Sequence, residues 1–123
     1  MYPYMPTSAQ NNGIEGYYDY WTEEGNVIAV ESACMGYATY QPTNFSASDH
    51  VELLKPKFQL NEYIALFIVA IINMENYKYS YGRKCNQLRI RNMVINLPIT
   101  HDGTPDWQFM EDYIKALPYG DRL

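Results

Sequence analysis

The segment NEYIALFIVAIINMENY, residues 61–77, decides the fold of this chain. Asn61 is an acceptable N-cap and Glu62 follows in the first turn, so the pattern predicts a helix from here to about Tyr77. Apolar side chains cover most of its circumference: Ile64, Leu66, Phe67, Ile68, Ala70, Ile71 and Met74. Because a helix that is apolar nearly all round is buried, we expect a central helix surrounded by the rest of the domain.

Short runs of strand-forming residues precede this helix. The clearest is NVIAVESA at 26–33, where Val27, Ile28 and Val30 lie between turn residues. The pattern predicts further strands at 2–7, 35–41 and 48–55. A polar loop of turn formers, residues 8–13, follows the first of them.

The chain beyond the helix predicts one more strand and one more helix. Apolar and basic residues alternate from 88 to 91 in the segment 88–97, which indicates a strand with a basic side. Thr104 is the predicted N-cap, and Pro105 the first residue, of a helix that ends near Leu117. The expected fold class is therefore α+β: a mostly antiparallel sheet packed on a central buried helix, with a C-terminal strand and helix, in one domain of residues 1–123.

Charge is segregated along the chain, whose net charge is -5. Residues 1–54 carry seven acidic residues and no Lys or Arg, whereas residues 55–91 carry seven basic residues against Glu62 and Glu75. Residues 92–123 are acidic again. A local basic stripe on an acidic domain suits a protein that meets a phosphate backbone on one face only, and binding by that face alone should be weak.

The stretch YKYSYGRKCNQLRIR, residues 77–91, holds five of the nine Lys and Arg residues and no acid. Its cations can neutralise phosphates, and its tyrosines offer flat faces to bases. The same composition also suits a solvated basic hairpin that packs through its tyrosines. Composition alone leaves both interpretations open.

Residues that could support catalysis or metal binding are few and scattered. Cys34 and Cys85 form no CxxC motif and have no neighbouring His in the sequence. We expect His50 and His101 to be solvent-exposed side chains and not catalytic bases. No glycine-rich nucleotide loop occurs, and the longest apolar run, 63–72, is too short to span a membrane. We expect no catalysis, cofactor or metal, and, with no secretory signal, a cytoplasmic protein with reduced thiols.

Four segments together resemble a known family. They are NNGIEGY at 11–17, YQP at 40–42, YKYSYGRK at 77–84 and PDWQFMEDYIK at 105–115. In this order they resemble the target-recognition domain of type I restriction-modification specificity subunits, a domain that related single-polypeptide systems also use. That domain usually begins with a further segment upstream, so the resemblance implies an N-terminally truncated domain.

The resemblance implies a reader of duplex DNA sequence that positions a separate adenine methyltransferase and, in complete systems, a restriction subunit. Asn suits adenine, Arg suits guanine, and Lys more often grips phosphate. The implied DNA-contact residues are Thr7, Ser8, Asn11, Asn12, Lys78, Tyr79, Tyr81, Arg83, Lys84, Asn86, Arg89 and Arg91. A bipartite target would require a second copy, for example in a homodimer. The alternative is a protein-interaction module that docks on a methyltransferase without reading DNA.

Overall fold

The computed structural model describes residues 2–5, 14, 16–32, 36–48, 50–78 and 85–118, and every structural statement below concerns these residues. The strands are β1 (Tyr2–Met5), β2 (Gly16–Tyr18), β3 (Val27–Glu31), β4 (Ala38–Gln41), β5 (Ser46–Ala47) and β6 (Val51–Leu54). The α-helices are α1 (Glu62–Asn73), α2 (Gln87–Arg91) and α3 (Trp107–Lys115), with a 3-10 turn at Asn76–Lys78.

The strands form two three-stranded sheets, with the orders β2-β1-β5 and β4-β3-β6. Three pairings are antiparallel, namely β1 with β2 and β3 with both β4 and β6. Only the short pairing of β1 with β5 is parallel among the described strands. The predicted α+β class with mostly antiparallel pairing is confirmed. The runs 2–7, 26–33, 35–41 and 48–55 contain β1, β3, β4 and β6, whereas β2 and β5 were not predicted.

Every residue of β3 is buried, because the second sheet is covered on both faces. Ile28 and Val30 belong to the larger core cluster, which includes α1. Val27 and Ala29, on the opposite face of the strand, belong to a second cluster with Phe45. The layers therefore run from the first sheet through the second sheet to α1 and then α3.

The central helix α1 is confirmed. The Asn61 side chain accepts a hydrogen bond from the backbone N–H of Ile64 at 2.9 Å, which is the expected N-cap. Its amide nitrogen donates to Glu111 of α3 at 2.8 Å, so the same residue ties the two helices together. The helix ends at Asn73, before the predicted end at Tyr77, and the 3-10 turn continues the chain.

The predicted strand at 88–97 is wrong. The Asn86 side chain accepts from the backbone N–H of Arg89 at 3.0 Å and caps the short helix α2. Ile90 is buried but Leu88 is 67% exposed, so their spacing of two does not mark a common buried face. The chain after α2 alternates between half-buried and exposed residues from 93 to 97 without entering a described sheet.

The predicted start of the last helix is shifted. Asp106, and not Thr104, is the N-cap of α3, since its carboxylate accepts from the backbone N–H of Phe109 at 3.0 Å. Pro105 lies before the helix in an isolated antiparallel bridge with Ile99. The turn at 101–104 is as predicted. Residue type alone did not identify the cap, because Thr and Asp are both favoured N-cap residues.

Candidate nucleic-acid interface

The described structure contains four of the twelve predicted DNA-contact residues: Lys78, Asn86, Arg89 and Arg91. The remaining eight lie outside the described residues: Thr7, Ser8, Asn11, Asn12, Tyr79, Tyr81, Arg83 and Lys84. For these eight, DNA contact stays a prediction. The described residues on either side nevertheless locate the points from which both segments continue.

The loop predicted at 8–13 continues from β1. This strand runs parallel to β5, and β6 follows β5 closely in the chain. The first residue of β6, Val51, pairs with Glu31 at the end of β3. β1 and β5 run in the same direction. Met5, the last residue of β1, therefore lies at the end of the layers where β3 ends and β6 begins.

The basic stretch 77–91 begins at the same end. The Asn73 side chain at the end of α1 is hydrogen bonded to the main chain of Ala38. Ala38 begins β4 and pairs with Val30, next to the end of β3. Met5, the last residue of β1, and residues 74–78 therefore lie at one end of the layered core, on opposite sides of the second sheet.

Lys78 lies in a local ion pair. Its Nζ is 2.6 Å from the carboxylate of Glu75 and 5.9 Å from the centre of the Tyr77 ring. The Lys78 side chain is 46% exposed, and an ion pair with this much solvent contributes about 0–1 kcal/mol. Exchanging Glu75 for a phosphate oxygen would therefore cost little.

The helix α2 carries two arginines and is attached to the core by buried residues. Cys85 and Ile90 belong to the larger core cluster, which also contains residues of the second sheet and of α1. Arg89 and Arg91 lie in the last turn, with Arg91 exposed and Arg89 half-buried. The cap assigns Asn86 a structural role, because its side-chain oxygen already accepts from Arg89.

A lysine that the resemblance did not point to lies near this helix. Lys55 and Ile90 line the same cavity of about 250 Å³, so the loop after β6 and α2 border one opening. Lys57 follows and is exposed. Within the described part of the chain, Lys55, Lys57 and Arg91 make no ion pair. The segregated charge was the available signal, since these lysines begin the basic segment 55–91.

Groups that could support other chemistry are dispersed. In the described ranges, no three His, Cys, Asp or Glu residues converge into a metal site. His101 is exposed in a turn, and Cys85 is fully buried in the core. Within the same ranges, each helix is too short or too polar to cross a membrane.

Comparison with known proteins agrees with the resemblance. The family model of the type I restriction modification DNA specificity domain matches residues 1–119. The specificity subunit S.BcgI of a type II restriction enzyme from Heyndrickxia coagulans is 34% identical over 119 residues, covering 94% of this chain and 35% of that protein. The chain thus spans about a third of the length of this relative. No solved structure matches the chain. The chain belongs to the family of type I restriction modification DNA specificity domains.

Proposed function

We propose that this domain recognises a duplex DNA sequence as the specificity component of a restriction-modification system. In that role it performs no chemistry and positions a separate adenine methyltransferase, and in complete systems an endonuclease, on the target. The observation that carries the proposal is the family match over residues 1–119. The name of the relative, a specificity subunit, supports the same role.

The charge distribution supports one DNA-binding side. We define the basic side as Lys55 and Lys57, which follow β6, together with Arg89 and Arg91 of α2, because Lys55 and Ile90 line one cavity. Each phosphate that such a group neutralises releases condensed counterions, which favours binding at low salt. The acidic residues elsewhere limit this attraction, so we expect weak binding to DNA of unrelated sequence.

Sequence reading requires contacts to base edges. An arginine that contacts guanine through two hydrogen bonds discriminates against other bases by about 1–3 kcal/mol. Arg91 is exposed and unpaired among the described residues, which makes it the best placed described candidate. Asn11 and Asn12 remain the candidates for adenine, because the described Asn86 caps α2 instead.

A single module of this kind should bind more weakly than a pair. The relative is about three times as long as the matched region, and linking two modules raises their joint affinity without new contacts. We therefore propose that the functional unit contains a second recognition module, either in one longer polypeptide or in a second copy of this domain. A bipartite DNA target follows from either arrangement.

Selection from random duplexes tests the proposal. The protein, with its methyltransferase partner present, is incubated with a library of random double-stranded DNA, and bound molecules are sequenced over several rounds. We expect one short motif to be enriched, and Arg91→Ala to relax the preference at one position. The matched control Lys115→Ala, on α3, should select the wild-type motif. Enrichment of no motif by the wild type would contradict sequence recognition.

A further inference from the structure

The first sheet carries an aromatic surface on the side away from the core. Along β1, Pro3 and Met5 are buried while Tyr2 and Tyr4 are partly exposed, so alternate residues face outwards. Further rings from β2 and the chain after it extend this outer side. We define the aromatic face as Tyr2, Tyr4, Tyr18, Tyr20 and Trp21.

The rings of the aromatic face hold one another in place. The ring centres of Tyr4 and Tyr18 are 5.9 Å apart in an edge-to-face arrangement, and those of Tyr18 and Tyr20 are 5.8 Å apart. Tyr2 and Trp21 form a third pair at 6.3 Å. A surface that is already ordered loses little side-chain entropy when it binds.

These rings are nevertheless open to solvent. Tyr20 is 59% exposed, Tyr18 43% and Trp21 42%. Tyrosine and tryptophan, like arginine, are enriched at the energetic centres of protein interfaces, and contiguous exposed apolar surface commonly marks such sites. The described part of the chain places no element over this side of the sheet.

The acidic side chains near the aromatic face favour a positively charged partner over a nucleic acid. Asp19 and Glu24 are exposed within the same segment, and they make no ion pair with any described residue. Residues 1–54, which form every strand of the first sheet, contain no Lys or Arg, so this sheet offers an approaching phosphate no cation. Stacked bases are therefore disfavoured despite the rings, which in nucleic-acid platforms lie beside basic grooves. Lysine and arginine side chains are favoured, through ion pairing and through cation–π contact with the rings.

We infer that the aromatic face is a docking surface for a positively charged protein surface. On the proposed function, on which this assignment rests, the methyltransferase partner supplies the lysines and arginines. The basic side and the aromatic face then divide two tasks within one small domain. DNA binds to the basic side, and the enzyme is held by the acidic, aromatic side.

A matched pair of variants tests this assignment. The docking variant is Asp19→Asn with Tyr20→Ala, and the control is Asp112→Asn with Tyr113→Ala on α3. Both remove an adjacent acid and tyrosine, and the two tyrosines are similarly exposed, at 59% and 52%. Affinity for the purified methyltransferase subunit is measured by calorimetry at two salt concentrations, and affinity for duplex DNA is measured separately.

The docking variant should lose about tenfold or more in methyltransferase affinity, with a weaker salt dependence, while its DNA affinity is retained. The control should stay within about threefold of the wild type. The inference would be overturned if the docking variant kept its methyltransferase affinity, or if it lost DNA affinity and not methyltransferase affinity. It would also be overturned if the wild type did not bind the methyltransferase. Failure of the proposed function gives a different result, because the wild type would then bind no duplex DNA even with the methyltransferase present.

Discussion

The side-chain amide of Asn73 makes two hydrogen bonds to the main chain of Ala38, as a neighbouring strand would. The Ala38 N–H donates to Asn73 Oδ1 at 2.7 Å, and Asn73 Nδ2 donates to the Ala38 carbonyl at 3.0 Å. The last residue of α1 is thereby joined to the first residue of β4. This junction fixes the end of the core from which the basic stretch continues.

Removing this junction should destabilise the fold. In Asn73→Ala both main-chain groups of the buried Ala38 lose a partner, so we expect the free energy of unfolding to fall by about 2–4 kcal/mol. Asn92→Ala is the control, since Asn92 makes one exposed side-chain bond to Leu88 and should cost less than about 1 kcal/mol. Urea denaturation measures both variants. Equal losses would show that the Asn73 bonds are not structural.

The conformation of Asn26 leads us to expect different stabilities for its glycine and alanine variants. Its backbone has a positive φ of 58°, its Oδ1 accepts from the Tyr40 hydroxyl at 2.7 Å, and its Nδ2 donates to Leu60 at 3.2 Å. Burial, with the nearby charge of Glu62, raises the pKa of Tyr40, so the hydroxyl remains a donor at neutral pH.

Both Asn26→Gly and Asn26→Ala remove the two side-chain bonds. Only alanine adds backbone strain, because glycine tolerates positive φ, so the alanine variant should be less stable by about 1 kcal/mol. Thermal unfolding of the two proteins tests this ranking. A glycine variant that is no more stable than the alanine variant would contradict it.

Cys85 should be chemically protected in the native protein, because it is fully buried in the cluster that holds Ile72 and Ile90. We expect its thiol, in a Cys34→Ser background, to react with a disulfide reagent only as the protein unfolds. Gln87→Cys, two residues away at an exposed position, should add a thiol that reacts at once. Rapid labelling of Cys85 without denaturant would contradict the packing of this segment.

The turn before α3 should depend on pH. The Thr100 hydroxyl, and then the hydroxyl and backbone N–H of Thr104, donate to the carboxylate of Asp102 and lower its pKa. Because the folded pKa lies below the unfolded one, these bonds stabilise the turn above the ordinary pKa of aspartate. Their contribution is lost as the pH falls through the lowered value.

An NMR titration of the Asp102 carboxyl measures that pKa directly. Thr100→Val removes the main donor and should raise the pKa towards its ordinary value. Asp102→Asn should abolish the acid-dependent change in the Thr104 amide signal. A pKa unaffected by Thr100→Val would show that this hydroxyl is not the cause.

Local patterns predicted the elements whose signals are strong over several residues. The helix α1 follows from the Asn61 cap and a long apolar block, and β3 from its run of strand formers between turns. The segment at 88–97 failed because alternation over four residues competed with the cap at Asn86. The Asn73 junction joins residues 35 positions apart, and no local pattern indicates such a contact.

Some parts of the predicted interface could likewise be read from the sequence, whereas others required the fold. Charge segregation indicated the basic segment 55–91, which includes Lys55 and Lys57, but only the fold brings the loop after β6 beside α2. The role of Asn86 could not be read from residue type, because an asparagine suits a helix cap as well as an adenine contact. The aromatic face required the pairing of β1 with β2, which sets tyrosines from both strands on one side.

The most direct test of DNA recognition through the basic stretch 77–91 is the salt dependence of duplex binding. The double variant Arg83→Ala with Lys84→Ala is compared with the wild type over a range of salt concentrations, with Lys115→Ala as the control. Lys115 is paired with Glu111 at 3.4 Å on α3 and should not contribute. We predict that the slope of log affinity against log salt becomes shallower by about 1.8 in the double variant, since each lost phosphate contact removes about 0.9. A slope equal to that of the wild type would contradict the account.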